Sequence, residues 1–148
     1  MRKLEMTPND STRLFQLLRS VDFFEGMTMG QLQLVVPHIM MVQYEAGEKI
    51  VTQGEKGDSF YVVADGDLSV TVKKGFFGKK ELARLASGDF FGEMALIDAS
   101  PRNATVTALT QARLFVLFSH QFVAVMNSNP DFASHILRVA QERKLSGR

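Results

Sequence analysis

A glycine, a carboxylate and an arginine lie close together in residues 91–106, which read F-G-E-M-A-L-I-D-A-S-P-R-N-A-T-V. Gly92 has no side chain, so backbone could approach a ligand there. The next residues favour helix, and a single helical turn would direct amide groups outward, which suits an anion. Further along, Arg102 carries a planar guanidinium that can grip a phosphate with two hydrogen bonds, and Pro101 fixes the backbone before it. The spacing therefore predicts a phosphate site.

The carboxylate of Glu93 is unexpected beside an anion. A carboxylate only accepts hydrogen bonds, so Glu93 suits a ligand that carries a hydroxyl next to its phosphate, as a sugar does. In the alternative interpretation, Glu93 and Arg102 pair with each other beneath the fold, as a structural ion pair of little net value. The residue types and their spacing leave both interpretations open.

The stretch that must position these residues predicts a β-roll. From residue 40 to residue 118, short runs rich in Val, Tyr, Phe and Thr alternate with glycine-containing breaks. Leu68, Val70 and Val72 alternate with polar residues, which is the pattern of a half-buried strand. Because no crossover helices intervene, we expect a jelly roll or sandwich rather than a parallel sheet.

Helical patterns precede the roll. Residues 10–20 carry leucines at helical spacing, with Pro8 and Asn9 marking the start. Thr28 and Gln31 form the capping-box pattern of a second helix. A proline follows at residue 37 and should end or bend that helix.

Helical patterns also follow the roll. Ser119 is placed to cap a short helix, and the run N-P-D at residues 129–131 supplies a cap, an N1 proline and an acidic first turn for the last helix. Phe132 and Ile136 begin an apolar face that ends at Arg143. We therefore expect one mainly β domain over residues 1–148, with N-terminal helices at 8–37, the roll at 40–118 and C-terminal helices at 119–145.

The composition narrows the classes of partner. The chain has 148 residues, with 17 basic and 16 acidic side chains and no cysteine. A net charge of +1 argues against a duplex nucleic acid partner and against a polybasic membrane protein, so any charge selectivity must be local. No apolar run approaches the roughly 18 residues of a membrane span. The early pair Arg2-Lys3 is not followed by an apolar region, so a secretory signal is not expected. We expect a cytoplasmic protein with no membrane span and no nucleic acid partner.

Enzyme interpretations have little support. No G-x-x-x-x-G-K-[ST] motif occurs, and residues 54–58 form a turn rather than a phosphate-binding loop of that kind. A metal-dependent cupin would share the roll but needs clustered His and Glu ligands on strands. The three histidines, His38, His120 and His135, lie instead on or beside predicted helices. We therefore expect no metal and no catalytic residues.

Residues 91–106 closely resemble the phosphate-binding cassette of the cyclic nucleotide-binding domain family, whose pattern runs F-G-E-x-A-L, a short variable stretch, then P-R-x-A-T-V. Residues 44–50, 53–55 and 58–63, with Gly66, are similar to the family's strand and turn signatures in the right order. The resemblance covers roughly residues 21–144 and points to bacterial regulatory domains that bind cAMP or cGMP. It implies an eight-stranded antiparallel β-roll, with helices before and after it, that binds the nucleotide between the roll and the last helix.

The resemblance also implies roles for single residues. Glu93 would bind the ribose 2′-hydroxyl and Arg102 the cyclic phosphate, with backbone amides near Met94 and Ala95 completing the anion site. The expected nucleotide-binding residues are Gly92, Glu93, Met94, Ala95, Arg102, Asn103, Ala104, Val70, Ala83 and Arg143.

The base-binding residues carry alternatives. Val70 and Ala83 are similar in position to the residues that pack on the purine, although ordinary core packing would explain both. Arg143 sits where some bacterial members place a lid side chain, and a guanidinium there could stack on the base. A favourable helix end would explain Arg143 equally, and Arg138 is a second choice for the lid.

One position departs from the family pattern. After the arginine the family usually has Ala, or Thr or Ser where cGMP is accommodated, whereas this chain has Asn103. An asparagine amide both donates and accepts, so it suits a phosphate oxygen or the guanine edge. We expect cAMP as the favoured ligand and keep cGMP open.

The expected function is that of a sensor whose last helix moves when the nucleotide binds. Its output would act on a protein effector or an additional domain, neither identified by the sequence. The alternative is a degenerate roll that binds proteins without nucleotide, through Phe76 and Phe77 or through the terminal helices, which are also a candidate homodimer interface.

Overall fold

A computed structural model describes residues 1–21, 23–76 and 78–145, with the side chains of residues 143–145 outside the description. Within these ranges the chain forms four α-helices and nine β-strands. The helices are α1 (Pro8–Leu18), α2 (Met29–Val35), α3 (Ser119–Ser128) and α4 (Pro130–Leu145). The strands are β1 (Arg2–Leu4), β2 (Met40–Tyr44), β3 (Lys49–Val51), β4 (Ser59–Asp65), β5 (Leu68–Lys73), β6 (Lys79–Leu85), β7 (Phe90–Phe91), β8 (Thr105–Ala108) and β9 (Ala112–Phe118).

The strands form two antiparallel sheets, which confirms the predicted β-roll with flanking helices. One sheet has the order β1-β2-β9-β4-β7 and the other the order β3-β8-β5-β6. Eight of the strands, β2 to β9, lie between residues 40 and 118. The eight strands predicted for the roll are therefore present, and β1 adds a ninth strand outside that range by pairing with β2, with Leu4 opposite Met41.

The apolar side chains form two cores. The first fills the inside of the roll, and its most buried members are Val42, Val63, Leu68, Ala112 and Leu114. The second lies between the five-stranded sheet and the helices, and it includes Leu14, Leu18, Phe24, Phe60, Leu96, Phe122, Phe132 and Ile136. The residues of α3 and α4 contribute only to the second core.

The N-terminal helix boundaries follow their capping chemistry. The helix α1 starts at Pro8, where the sequence predicts it, and Thr7 and Asp10 form a capping box at that start. The predicted capping box of Thr28 and Gln31 is confirmed at α2. That helix ends at Val35, and the chain passes into a 3₁₀ helix at Val36–His38 that contains the proline.

The C-terminal boundaries differ in part from the prediction. The prediction that Ser119 caps α3 is wrong: Phe118 holds the cap position, and no side chain bonds to the helix there. The Asn129 side-chain amide donates to the Val125 carbonyl at 2.9 Å, so it closes the end of α3. Pro130 begins α4, and Asp131 lies in its first turn as expected. Among the described helices, none is both long and apolar enough to cross a bilayer.

Candidate functional site

A cavity of about 370 Å³ opens where the four-stranded sheet meets residues 91–106. Eight of the ten predicted site residues line it, namely Val70, Gly92, Glu93, Met94, Ala95, Arg102, Asn103 and Ala104. The rest of the lining is Val51, Gly57, Phe91, Asp98, Ser100, Pro101 and Val106. The fold thus brings the predicted anion site and an apolar wall into one space.

Two predicted site residues are not placed in that lining. Ala83 lies opposite Val70 in the β5–β6 ladder, but it is exposed and is not among the described residues that line the cavity. The side chain of Arg143 falls outside the described residues, so its role as a lid stays a prediction. Arg138, the second choice for the lid, is exposed on α4, with a guanidinium nitrogen 3.4 Å from His135 Nδ1.

Gly92 begins the predicted turn, a 3₁₀ helix at Glu93–Leu96 that we call the Gly92 turn. Its φ of 79° lies in the left-handed region, which glycine adopts without steric cost. A Cβ on Gly92 would lie 2.6 Å from Arg102 Nη1 and 2.9 Å from the Ser59 carbonyl oxygen. Gly92 is therefore required both by the backbone conformation and by the close approach of the arginine.

The Gly92 turn contains both of the amides that the anion-site prediction names, those of Met94 and Ala95. The Ala95 amide, predicted as part of the anion site, donates to the Gly92 carbonyl at 3.0 Å. The Met94 amide precedes the first hydrogen bond of the turn, so it has no acceptor within the helix. Met94 therefore supplies the better-placed of the two predicted amides.

Arg102 is fixed through both its backbone and its side chain. Its amide donates to the Glu55 carbonyl at 2.7 Å, and its carbonyl accepts from the Gly54 amide at 2.9 Å. Its Nη2 donates to the Ser59 carbonyl at 2.8 Å and lies 3.1 Å from Ser59 Oγ. The guanidinium is thus oriented at the cavity wall by β4.

Ser59 connects the arginine to a buried polar chain inside the roll. The Ser59 side chain is 2% exposed, and its Oγ lies 3.2 Å from the Tyr61 hydroxyl. The Tyr61 ring stacks on Phe91 with a centroid distance of 4.9 Å. Burial raises the pKa of Tyr44, and the neighbouring Tyr61 raises it further, so this phenol stays neutral. The chain therefore adds hydrogen bonds next to the site, and Ser59 Oγ also donates to the Asp58 carboxylate at 3.2 Å.

Glu93 lies in the wall of the same cavity and is 6% exposed. Withdrawing a carboxylate from water is costly, so a buried glutamate in a ligand-sized cavity is a strong sign of a site. In the described part of the chain, no group of three or more His, Asp or Glu side chains is arranged to hold a metal ion.

Ser59 contacts Arg102 beside the cavity, but it is not one of the ten predicted site residues. In the sequence it belongs only to a strand signature of the family. The sequence feature that could have indicated Ser59 is a serine followed by five apolar residues at the start of β4. All six of these residues are buried. A buried hydroxyl needs a partner, and that requirement points to a polar group nearby.

The fold and the site together define a family. The sequence profile described as "Cyclic nucleotide-binding domain" matches residues 41–129. This chain belongs to the cyclic nucleotide-binding domain family.

Individual relatives give the same assignment. The chain is 32% identical over 140 residues to a cyclic nucleotide-gated potassium channel of Rhizobium etli, covering 95% of this chain and 38% of the channel. The N-terminal domain of a transcriptional regulator from Streptomyces coelicolor A3(2) has a TM-score of 0.80 and 27% identity, covering 88% of this chain and 92% of that one. The regulatory domain of Toxoplasma gondii PKA, solved with cAMP, has a TM-score of 0.74 and 27% identity, covering 82% and 46% of the two chains. The chain spans 38% of the length of the curated potassium channels of Rhizobium etli and Mesorhizobium japonicum.

Proposed function

We propose that this chain is a cAMP sensor, with cAMP favoured over cGMP. The observation that carries the proposal is the position of Arg102 in one cavity with Glu93, the first residue of the Gly92 turn. Arg102 binds the cyclic phosphate, Glu93 accepts a hydrogen bond from the ribose 2′-hydroxyl, and the Met94 amide adds a donor to the phosphate. The regulatory domain of Toxoplasma gondii PKA, which was solved with cAMP, supports this choice of ligand.

The hydrogen bonds of Arg102 leave donors for a phosphate. A guanidinium carries five N–H groups, two of them on Nη2. In the described residues, the side-chain hydrogen bonds of Arg102 run from Nη2 to Ser59 alone. The N–H groups on Nε and Nη1 therefore remain as charge-assisted donors to the phosphate oxygens of the ligand.

The purine lies on the apolar part of the cavity wall. Val51, Val70 and Val106, from three strands of the four-stranded sheet, form that wall. Asn103 is exposed at the cavity edge, where its amide reaches a phosphate oxygen or the base edge. Arg143 closes over the base from α4.

The output of the sensor is the position of α4. Leu96, in the Gly92 turn, shares the second core with Phe122 of α3 and Phe132 of α4. The Phe122 and Phe132 rings are 5.7 Å apart in an edge-to-face contact. A ligand that draws the Gly92 turn toward its phosphate thus moves a group on which both helices pack. Coupling of this kind is typically about 1–3 kcal/mol.

The whole chain acts as a single regulatory domain, and the effector is a protein or a further domain. The channel relatives support this arrangement, because the matched region is a minor part of each. No catalytic step is assigned to any residue.

A thermal-shift screen with cAMP, cGMP and a cyclic dinucleotide tests the ligand. A binder stabilises the fold by RT ln(1 + [L]/Kd), so we expect the largest rise in Tm with cAMP at equal concentrations. A larger rise with cGMP would reverse the proposed preference. No rise with any of the three would reject the sensor and favour a roll that binds proteins without nucleotide.

A further inference from the structure

The tip of the β5–β6 hairpin combines an exposed aromatic ring with a cluster of lysines. Phe76 is 100% exposed, and we define the tip by Lys73, Lys74, Phe76, Lys79 and Lys80. All four lysines are exposed. The Lys74 amide donates to the Gly78 carbonyl at 3.2 Å and closes the turn. The cavity and the sensor proposal use none of these residues.

The tip extends away from the body of the protein. Gly75 and Gly78 flank the apex with positive φ angles, and a Cβ added to either glycine would meet nothing within 4 Å. An exposed phenylalanine on such a projection gains nothing from the core. A ring of this size retains its full hydrophobic surface for contact with a partner.

The charge at the tip is a feature that folding alone does not favour. Lys73 lies directly opposite Lys79 in the β5–β6 ladder, and like charges in that position destabilise a hairpin. The nearest acidic neighbour, Glu81, accepts from Ser69 at 2.6 Å and from Arg84 at 3.0 Å. In the described part of the chain, no carboxylate forms an ion pair with the tip lysines.

The net charge of the whole chain hides this concentration. Basic residues exceed acidic ones by one, so the rest of the chain carries a net negative charge once the four lysines are set aside. The four tip lysines are therefore a local concentration of positive charge on a chain that is nearly neutral overall. An anionic surface would orient it with the tip forward.

We propose that the tip docks on an anionic lipid bilayer, with Phe76 inserted at the level of the headgroups and the lysines near the anionic lipids. Two observations favour a lipid surface over a protein partner. Protein interfaces are enriched in Arg and depleted in Lys, whereas the tip carries four lysines and no arginine. A stable protein interface also buries about 800 Å² on each partner, which a hairpin apex cannot supply. A bilayer needs only an apolar group and diffuse positive charge.

Vesicle co-sedimentation tests the proposal. We expect the protein to sediment with phosphatidylcholine vesicles that contain about 30 mol% phosphatidylserine, and not with phosphatidylcholine alone. High salt should release it. Phe76→Ser should weaken the partitioning roughly tenfold, and Lys74→Gln with Lys79→Gln should weaken it by a similar factor.

Matched controls separate docking from general surface effects. Leu137→Ser removes an apolar side chain that is 57% exposed on α4, and Lys3→Gln with Lys49→Gln removes two exposed charges far from the tip in sequence. These variants should sediment like the parent, and far-ultraviolet circular dichroism should show the parent fold for every variant. Sedimentation that depends equally on control and tip residues would overturn the proposal, as would a failure to bind the phosphatidylserine vesicles. Binding of soluble poly-glutamate through the lysines without vesicle binding would also overturn it and would favour an acidic protein partner.

Discussion

At the scale of single residues, Arg102 is oriented before any ligand binds. Its backbone forms hydrogen bonds with Gly54 and Glu55, and its Nη2 donates a hydrogen bond to the Ser59 carbonyl. A side chain that is already held in place loses little rotamer entropy on binding, so more of its interaction energy contributes to affinity. The arrangement makes Arg102 and Ser59 the two residues whose substitution is most informative.

Replacing Arg102 with alanine should weaken cAMP binding by about 1.5–3 kcal/mol, the scale of a charge-assisted hydrogen bond. Isothermal titration calorimetry measures this loss. Arg19→Ala is the control, because it removes the same charge at the exposed end of α1. Unchanged affinity in Arg102→Ala would mean that Arg102 has only a structural role, as in an internal pair with Glu93.

Replacing Ser59 with alanine should weaken cAMP binding roughly threefold to tenfold, because one contact that orients Arg102 is lost while the Ser59 carbonyl remains. Ser69→Ala is the matched control, since Ser69 is also a buried strand serine and bonds to Glu81 instead. In the Arg102→Ala background, Ser59→Ala should have no further effect on affinity. Additive losses would show that Ser59 acts independently of the arginine.

The sequence predicts most of the residues around the cavity, because residues 92–95 and 102–104 are near neighbours in a recognisable motif. The role of Ser59 could not be predicted from that motif, because the hydrogen bond between Ser59 and Arg102 joins positions 43 residues apart. The exposure of Ala83 could not be predicted either, because the alternating pattern of a strand does not indicate which of its two faces another element covers.

At the scale of elements, local chemistry predicts helix starts better than edges of sheets. The capping box at Thr28 follows from residue types three positions apart, and it is present. The strand β1 was missed because three residues, two of them charged, carry no strand pattern and acquire their structure only by pairing with β2. The supposed cap at Ser119 failed because β9 continues to Phe118 and leads directly into α3.

The Gly92 turn can be tested by adding one methyl group. Gly92→Ala should lower the free energy of unfolding by about 1–2 kcal/mol, the cost of a left-handed residue with a Cβ, and should also weaken cAMP binding by displacing Arg102. Gly47→Ala is the control, because its φ is +91° and its Cβ would meet nothing within 4 Å. Urea unfolding and calorimetric titration should show a stability loss in both variants and an affinity loss in Gly92→Ala alone. Equal affinity in the two variants would contradict this account of the turn.

The start of α1 should make stability depend on pH. The amide of Thr7 donates to Asp10 at 2.9 Å and lowers the pKa of that carboxyl; partial burial opposes the shift, and Arg113 at 3.7 Å adds to it. A lowered folded-state pKa gives stability that is present above the ordinary value of 3.8 and lost as pH falls through the folded value. Asp10→Asn should therefore destabilise the protein at neutral pH, and the difference from the parent should shrink as the solution is acidified toward about pH 3.

Urea unfolding of the parent and of Asp10→Asn across this pH range measures the difference. Asp67→Asn is a suitable control, because it removes an exposed carboxylate from the turn between β4 and β5. A constant difference between Asp10→Asn and the parent at all pH values would show that the carboxylate charge does not stabilise the helix start.

At the scale of the whole molecule, the two apolar cores support different parts of the proposed sensor. The roll core supports the cavity wall, whereas the second core joins the Gly92 turn to α3 and α4. The sequence predicts both flanking helices and roll but not this division, because it arises from which faces meet in three dimensions. Under the proposed function, this division would let a ligand move the helices without unfolding its own site.

Hydrogen exchange can follow the response of α4. We expect cAMP to slow amide exchange in Pro130–Leu145 in the parent, and Arg143→Ala to reduce that effect with a smaller loss of affinity than Arg102→Ala. Arg138→Ala, on the same helix, is the matched control. An identical response of α4 in the parent and in Arg143→Ala would reject the lid role of Arg143.

The polar chain behind Arg102 has a practical consequence for spectroscopy. The sequence contains no tryptophan and two tyrosines, Tyr44 and Tyr61, which are both buried in the roll. All intrinsic phenol fluorescence therefore originates beside the cavity, where Tyr61 contacts both Ser59 and Phe91. We expect nucleotide binding to change the hydrogen bonds of Arg102 and, through Ser59, the surroundings of the Tyr61 ring. Tyrosine fluorescence of the unlabelled protein should then report nucleotide binding.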